Sequence, residues 1–179
     1  VGLLGLLSFG QAGYLAIGAY TVAIFTKVLQ YNCWLAILAG GLIACIAGLI
    51  IGLTTIRIRG DFFSVVTLGF GEVMRYIALN WPSVTRGALG ITGIAPPKAF
   101  GYQFTRVHFY WFALCLAFLT VFLALRLKKS HVGRAWIAIR EDAVAAECMG
   151  INLLHYKIMN ISISSALTGL AGGFLALYI

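Results

Sequence analysis

An all-α, polytopic transmembrane helix bundle of about five spans is what this sequence predicts, and three observations lead there. Of its 179 residues, 61% are hydrophobic and only 10% charged, with a mean hydropathy of +0.97, so the apolar surface far exceeds what a soluble domain of this length can bury. The apolar residues fall into runs long enough to cross a bilayer, which takes about 20 residues in a helix. The basic residues that give the net charge of +8 sit mainly in the short segments between those runs, which is how topology-setting charge is distributed.

Taken in order, the expected spans are Leu3 to Phe25, Trp34 to Ile56, Phe62 to Trp81, Phe109 to Leu125 and Ile158 to Ile179. The first is interrupted by Ser8, Gly10, Gln11 and Gly13. Irregular backbone at membrane depth is tolerated only where protein or a cavity covers it, so a break there suits a helix facing the bundle interior. The second carries Gly40, Ala44, Gly48 and Gly52 at intervals of four, a groove of small residues that another backbone can approach. The last repeats the device with Ser162, Ala166, Gly169, Gly173 and Ala176. Generic tight packing explains both stripes; a sliding surface used in transport is the other reading.

Orientation follows from Lys and Arg near the span ends. Arg57, Arg59, Arg126, Lys128, Lys129, Arg134, Arg140 and Lys157 gather on one side, against Lys27, Arg86, Lys98 and Arg106 on the other, which places residues 130–156 in the cytoplasm and residues 82–107 outside. In the external loop Gly87, Gly90, Gly93 and Pro96-Pro97 mark turns, and Trp81, Tyr110 and Trp111 are expected in the outer aromatic belt. Val1 opens directly in an apolar run and Ile179 closes in another, as expected of an internal piece of a longer protein.

Catalytic constellations are missing from the sequence. There is no G-x-x-x-x-G-K-[ST] phosphate loop, and Gly69-Phe70-Gly71 lacks the third glycine of a dinucleotide fingerprint. His108, His131 and His155 are expected on opposite sides of the membrane, so neither a metal nor a cofactor site is expected. Cys33, Cys45, Cys115 and Cys148 are far apart and read as packing residues. The aromatics lie inside or at the ends of apolar runs, unlike the interleaved basic and aromatic face of a nucleic-acid binder. No enzymatic activity is expected, and no nucleic-acid partner.

Two places carry information. Glu72 and Arg75 stand three residues apart within the third span, on one helical face and able to pair. Intramembrane charge is costly, so a role in translocation is one reading and a structural ion pair near the outer interface the other. The second place is the run from Arg140 to Gly150, which begins with a capping acid and ends at a C-cap glycine with strong helix formers between, predicting a helix of about two turns. Its Ala145, Cys148 and Met149 fall at i, i+3 and i+4, a small apolar knob suited either to a groove on a partner or to the lipid head groups.

The stretch Gly133-Arg134-Ala135-Trp136-Ile137-Ala138-Ile139-Arg140-Glu141-Asp142, followed by Ala145-Ala146 and Gly150-Ile151-Asn152, resembles the cytoplasmic EAA-type loop of branched-chain amino acid ABC permeases. Leu7-Ser8-Phe9-Gly10-Gln11-Ala12-Gly13, Arg57-Ile58-Arg59-Gly60 with Val66 to Glu72, and Gly87 to Ile94 resemble further motifs of that family in order. The resemblance implies a multi-pass permease domain over residues 1–179 in the cytoplasmic (inner) membrane. It also implies a coupling helix at Arg140, Glu141, Asp142, Ala145, Ala146, Cys148, Met149 and Gly150 that inserts into a separate ATPase subunit. Val144 stands where the general E-A-A-x-x-x-G pattern has glutamate. Two cytoplasmic ABC ATPase subunits, a second permease subunit, a periplasmic or extracellular solute-binding protein and an amino-acid substrate are the implied partners, beside the lipid bilayer. Related permeases serve urea or short amides, and a channel or scaffold whose loop lies on lipid is a different class of function.

Overall fold

The computed structural model describes residues 4–5, 8–55, 62–91, 93, 98–99, 102–103 and 106–178. In chain order the elements are α1 (Gln11–Lys27), α2 (Cys33–Thr55), α3 (Phe62–Asn80), a single turn α4 (Pro82–Thr85), a 3-10 turn (Gly87–Leu89), and strands β1 (Lys98–Ala99) and β2 (Tyr102–Gln103). They are followed by α5 (Arg106–Lys129), α6 (His131–Glu141), α7 (Ala143–Cys148) and α8 (Leu153–Tyr178). The two strands are a two-residue antiparallel pairing, Lys98 opposite Gln103 and Ala99 opposite Tyr102, and the architecture is an all-α bundle.

The five expected spans correspond to α1, α2, α3, α5 and α8. Among the described residues, α2, α3, α5 and α8 are long and apolar enough to cross a membrane. The first differs from expectation. Its helix starts at Gln11 instead of Leu3, and its 17 residues reach about 25 Å at 1.5 Å each, short of the roughly 30 Å hydrocarbon core. Upstream, the backbone N–H of Phe9 donates to Thr67 Oγ1 of α3 at 3.1 Å, so this segment bonds sideways to another helix instead of extending α1. α5 and α8 each begin earlier than expected, at Arg106 and Leu153, so that His108 and Lys157 fall within the helices ahead of the apolar cores. Leu3, Leu7, the Arg57 and Arg59 turn, Pro96-Pro97 and Ile179 lie outside the described residues.

The centre is a three-helix core of α1, α2 and α8, held by the small residues of both stripes. Gly18 of α1 faces the backbone of Gly169 on α8 so closely that a Cβ there would collide with it, and Gly172 meets the backbone of Leu15 in the same way. Gly48 of α2 leaves room for Ser165, which is wholly buried and donates its hydroxyl to the Ser162 carbonyl at 3.0 Å. Lipid tails are as apolar as leucine, so close backbone approach and dispersion supply association here. At the end of the bundle where α1 finishes, Val22, Ala36, Ile37, Phe109 and Leu177 form a second cluster. Phe174 stacks on Phe112 at 5.0 Å between ring centroids and packs against Phe109 at 5.5 Å.

Around this core α3 and α5 are splayed. α3 touches α1 through Phe63, Thr67 and Phe70, whose ring lies 5.0 Å from that of Tyr14, and leaves its other face open. α5 exposes Trp111, Phe118, Leu119, Phe122 and Leu125. In the segment after α3, Gly87, Gly90 and Gly93 all have positive φ, the conformations their turns require.

Candidate functional site

The α5–α6 corner is built to be stiff. Ser130 is the N-cap of α6: its hydroxyl accepts from the Gly133 N–H at 3.3 Å and donates to the Leu127 carbonyl at 2.6 Å. Gly133 sits against the carbonyls of Leu127 and Lys128 with no room for a Cβ. α6 then buries Ala135, Trp136 and Ile139, at spacings that put them on one face. Trp136 donates its indole N–H to the Tyr156 carbonyl at 2.9 Å, tying α6 to the first turn of α8. Leu4, Ile139, Ala146, Ile151, Leu153 and Met159 complete the cluster around that indole.

The two-turn helix expected within the run from Arg140 to Gly150 is α7, and the first residues of that run close α6 ahead of it. α6 runs through Arg140 and Glu141 and stops at Asp142, whose backbone is extended (φ −152°, ψ 110°). The reason is the Asp142 carboxylate, which accepts from the N–H groups of Val144 at 2.8 Å and Ala145 at 3.1 Å and so starts a new helix, α7, in a new direction. α7 ends in a Schellman motif. The Ile151 N–H donates to the Ala146 carbonyl at 3.1 Å, the Gly150 N–H donates to the Glu147 carbonyl at 2.9 Å, and Gly150 adopts φ +82°.

Of the residues singled out from sequence, Arg140, Glu141, Asp142, Ala145, Cys148, Met149 and Gly150 are exposed. Ala146 is not: at 4% exposure it packs inward with Trp136 and Ile139, anchoring α7 to its own chain. What α7 presents outward is Ala145, Cys148 and Met149, the last 83% exposed, joined by Val144 at 66% and flanked by the exposed Glu147. α6 was missed by sequence reasoning, although Ser130 ahead of an apolar set at 135, 136 and 139 is a helix-start signature.

Glu72 and Arg75 are paired as their spacing implied. Arg75 Nε and one terminal guanidinium nitrogen each lie 2.9 Å from Glu72 Oε2, and the guanidinium carbon is 4.8 Å from the centroid of the Tyr76 ring. The pair occupies the open face of α3, with side chains 55% and 52% exposed for Arg75 and Glu72. Glu72 is about 15 Å from the start of α3 and about 12 Å from its end, near the middle of the helix. Among the described residues no three His, Cys, Asp or Glu side chains come together as metal ligands would.

Comparison with known proteins agrees with this architecture. The sequence profile of the family described as "Branched-chain amino acid transport system / permease component" matches residues 1–179. The high-affinity branched-chain amino acid transport system permease protein LivM of Escherichia coli (strain K12) is 36% identical over 200 aligned positions, covering 98% of this chain and 47% of that protein; its Salmonella typhimurium counterpart matches equally. The guanosine ABC transporter permease protein NupQ of Bacillus subtilis (strain 168) is 25% identical over 190 positions, 96% of this chain and 59% of that protein. The chain thus spans about half the length of the curated relatives it matches. No solved structure matches it. A full-length profile match, a relative above 30% identity and a bundle of membrane-crossing helices together mean that this multi-pass chain belongs to the family of branched-chain amino acid transport system permease components.

Proposed function

We propose that this chain is the translocating core of an ABC importer subunit that carries branched-chain amino acids across the cytoplasmic membrane, driven by ATP hydrolysis on separate subunits. The observation that carries the reading is α7: a short helix, capped at both ends and fastened through Ala146 and Trp136, that turns an apolar surface of Val144, Ala145, Cys148 and Met149 away from its own chain. Such a knob fits a groove on a partner, and the rigid α6–α8 connection turns a push on α7 into movement of α8. Closure of two ATPase subunits would thereby reach the small-residue core that α8 shares with α1 and α2. The distribution of Lys and Arg supports the cytoplasmic placement of residues 130–156.

In this arrangement Glu72 and Arg75 face the second permease subunit or the pathway between the two, because half-exposed charge near the middle of a span is expensive against lipid. A solute-binding protein on the external side would deliver cargo. A nucleoside cargo is the second reading, favoured by the likeness to the guanosine permease. Uptake separates the two. Proteoliposomes holding the full-length permease pair, its ATPase and its binding protein should accumulate labelled leucine only with ATP, with isoleucine and valine competing and guanosine and urea not. Competition by guanosine alone would overturn the amino-acid assignment.

A further inference from the structure

Where the first span is broken, α1, α3 and α8 enclose a small polar cavity. Ser8 lies on it ahead of α1, Gln11 and Tyr14 from the first turn of α1, and Asn160 and Ser164 from α8, while Phe63 and Ile161 close an apolar side. Its volume is about 30 Å³, counted as room for the centre of a water, of which one molecule needs roughly 10–15 Å³. An organic solute does not fit; one or two waters do.

The polar groups around this space are short of partners. Tyr14 is only 2% exposed, yet among the described residues its hydroxyl has no hydrogen-bond partner, and the same holds for the Ser8 and Ser164 hydroxyls and the Asn160 side-chain amide. Gln11 Oε1 is engaged, lying 2.6 Å from the Thr168 hydroxyl. Among the described residues no side-chain oxygen or nitrogen is sealed off from a water-sized molecule without a partner, so the Tyr14 hydroxyl borders the cavity and is not walled in by carbon. The start of α1 adds to the demand, because Gly10 caps it without a side-chain bond and its first N–H groups are left over.

Depth makes that demand costly. Asn160 is seven residues into α8, about 10 Å from that helix's start, so the cavity lies within the span of the bundle. A hydroxyl or amide left unbonded in apolar surroundings is penalised, and non-helical backbone at membrane depth needs protein cover or water. No Asp, Glu, Lys, Arg or His lines the cavity, so an ion would find no counter-charge there. Water both donates and accepts, as hydroxyls and amides require.

We propose that this cavity is a binding site for one or two ordered waters that bridge Tyr14 of α1 to Asn160 and Ser164 of α8. The Tyr14 ring packs against Phe70 of α3 at 5.0 Å between centroids, so the bridge holds three helices in register at the break. From the α3 side, the bond of the Phe9 N–H to Thr67 secures the same segment. The site has a positioning role, and it holds whatever solute is carried.

The test is hydroxyl-radical footprinting of the full-length transporter, joined to a density map fine enough to show waters. Radicals formed from bound water attack the side chains around it. Trp136 is as buried as Tyr14, but its indole N–H is bonded to a protein carbonyl, which makes it the internal control. Tyr14 should be oxidised at least about fivefold faster than Trp136, and Ser164→Leu, whose side chain fills the space, should remove that excess. The map of the wild-type protein should show a peak within about 3.2 Å of Tyr14 Oη and of a polar atom of α8. Folded wild-type protein with no such peak, or with Tyr14 oxidised no faster than Trp136, overturns the proposal. A peak that bromide replaces makes the occupant an anion and overturns it as well.

Discussion

Gly18 illustrates how one residue decides packing here. Its absent side chain lets α1 and α8 touch backbone to backbone at Gly169, and the buried Ser165 uses the equivalent space left by Gly48. The repeating Gly and Ala of α2 announced a groove in the sequence, and α8 meets it with Gly169 against Ala44; that Gly18 of α1 shares the contact at Gly40 was not legible, because Gly18 belongs to no stripe of its own. Gly18→Val is expected to destabilise the bundle by about 1–3 kcal/mol, the usual cost of overpacking, read as a lower melting temperature in detergent. Glu72 and Arg75 are the opposite case, since a spacing of three was enough to foresee the 2.9 Å contact but not the open face on which it lies. Glu72→Gln should keep the assembled complex yet reduce uptake by at least about tenfold if the pair borders the pathway. Loss of the complex on size-exclusion chromatography would make the pair structural instead.

At the level of the element, the segment from Ser130 to Gly150 shows where sequence reading succeeds and fails. A terminating glycine and an acid-led start were visible, and Gly150 does close α7 with φ +82°. Two acids stand side by side at Glu141 and Asp142, and the Asp142 carboxylate is the one that caps α7, reaching the N–H groups of Val144 and Ala145. Ala146 was placed on the docking surface by motif, yet Trp136 and Ile139 claim it; local sequence carries no record of that long-range contact. The break in the first span was foreseen from Ser8 to Gly13, and the helix does begin among those residues, at Gln11. Gly150→Leu has steric room, since nothing lies within 4 Å of a Cβ there, so its cost is the left-handed backbone, about 1–2 kcal/mol. That strain should loosen the end of α7 and uncouple ATP hydrolysis from uptake, seen as ATPase activity retained while leucine accumulation falls several-fold. Normal accumulation would argue against coupling through α7.

Across the whole molecule, a tight core of α1, α2 and α8 carries two loosely attached helices with open faces and one short helix, α7, anchored against α6 and α8 through Ala146. The class of fold follows from hydropathy alone, because a bilayer forces every long apolar run into a helix. What composition does not encode is which runs pack centrally: α5 is long and apolar enough to cross a membrane yet stays largely exposed, while the shorter α1 is buried because its glycines admit neighbours. The open faces on α3 and α5 are apolar surface that bilayer lipid or further protein can cover. Contact between α7 and the ATPase is what the proposed coupling requires, and exposed Cys148 offers a native handle on it. With the other three cysteines replaced, a bifunctional reagent applied to membranes containing the neighbouring ATPase should link Cys148 to that subunit, with a yield that changes between the ATP-bound and nucleotide-free states. A folded permease whose Cys148 forms no crosslink to the ATPase in any nucleotide state would contradict the claim and favour a loop that lies on lipid.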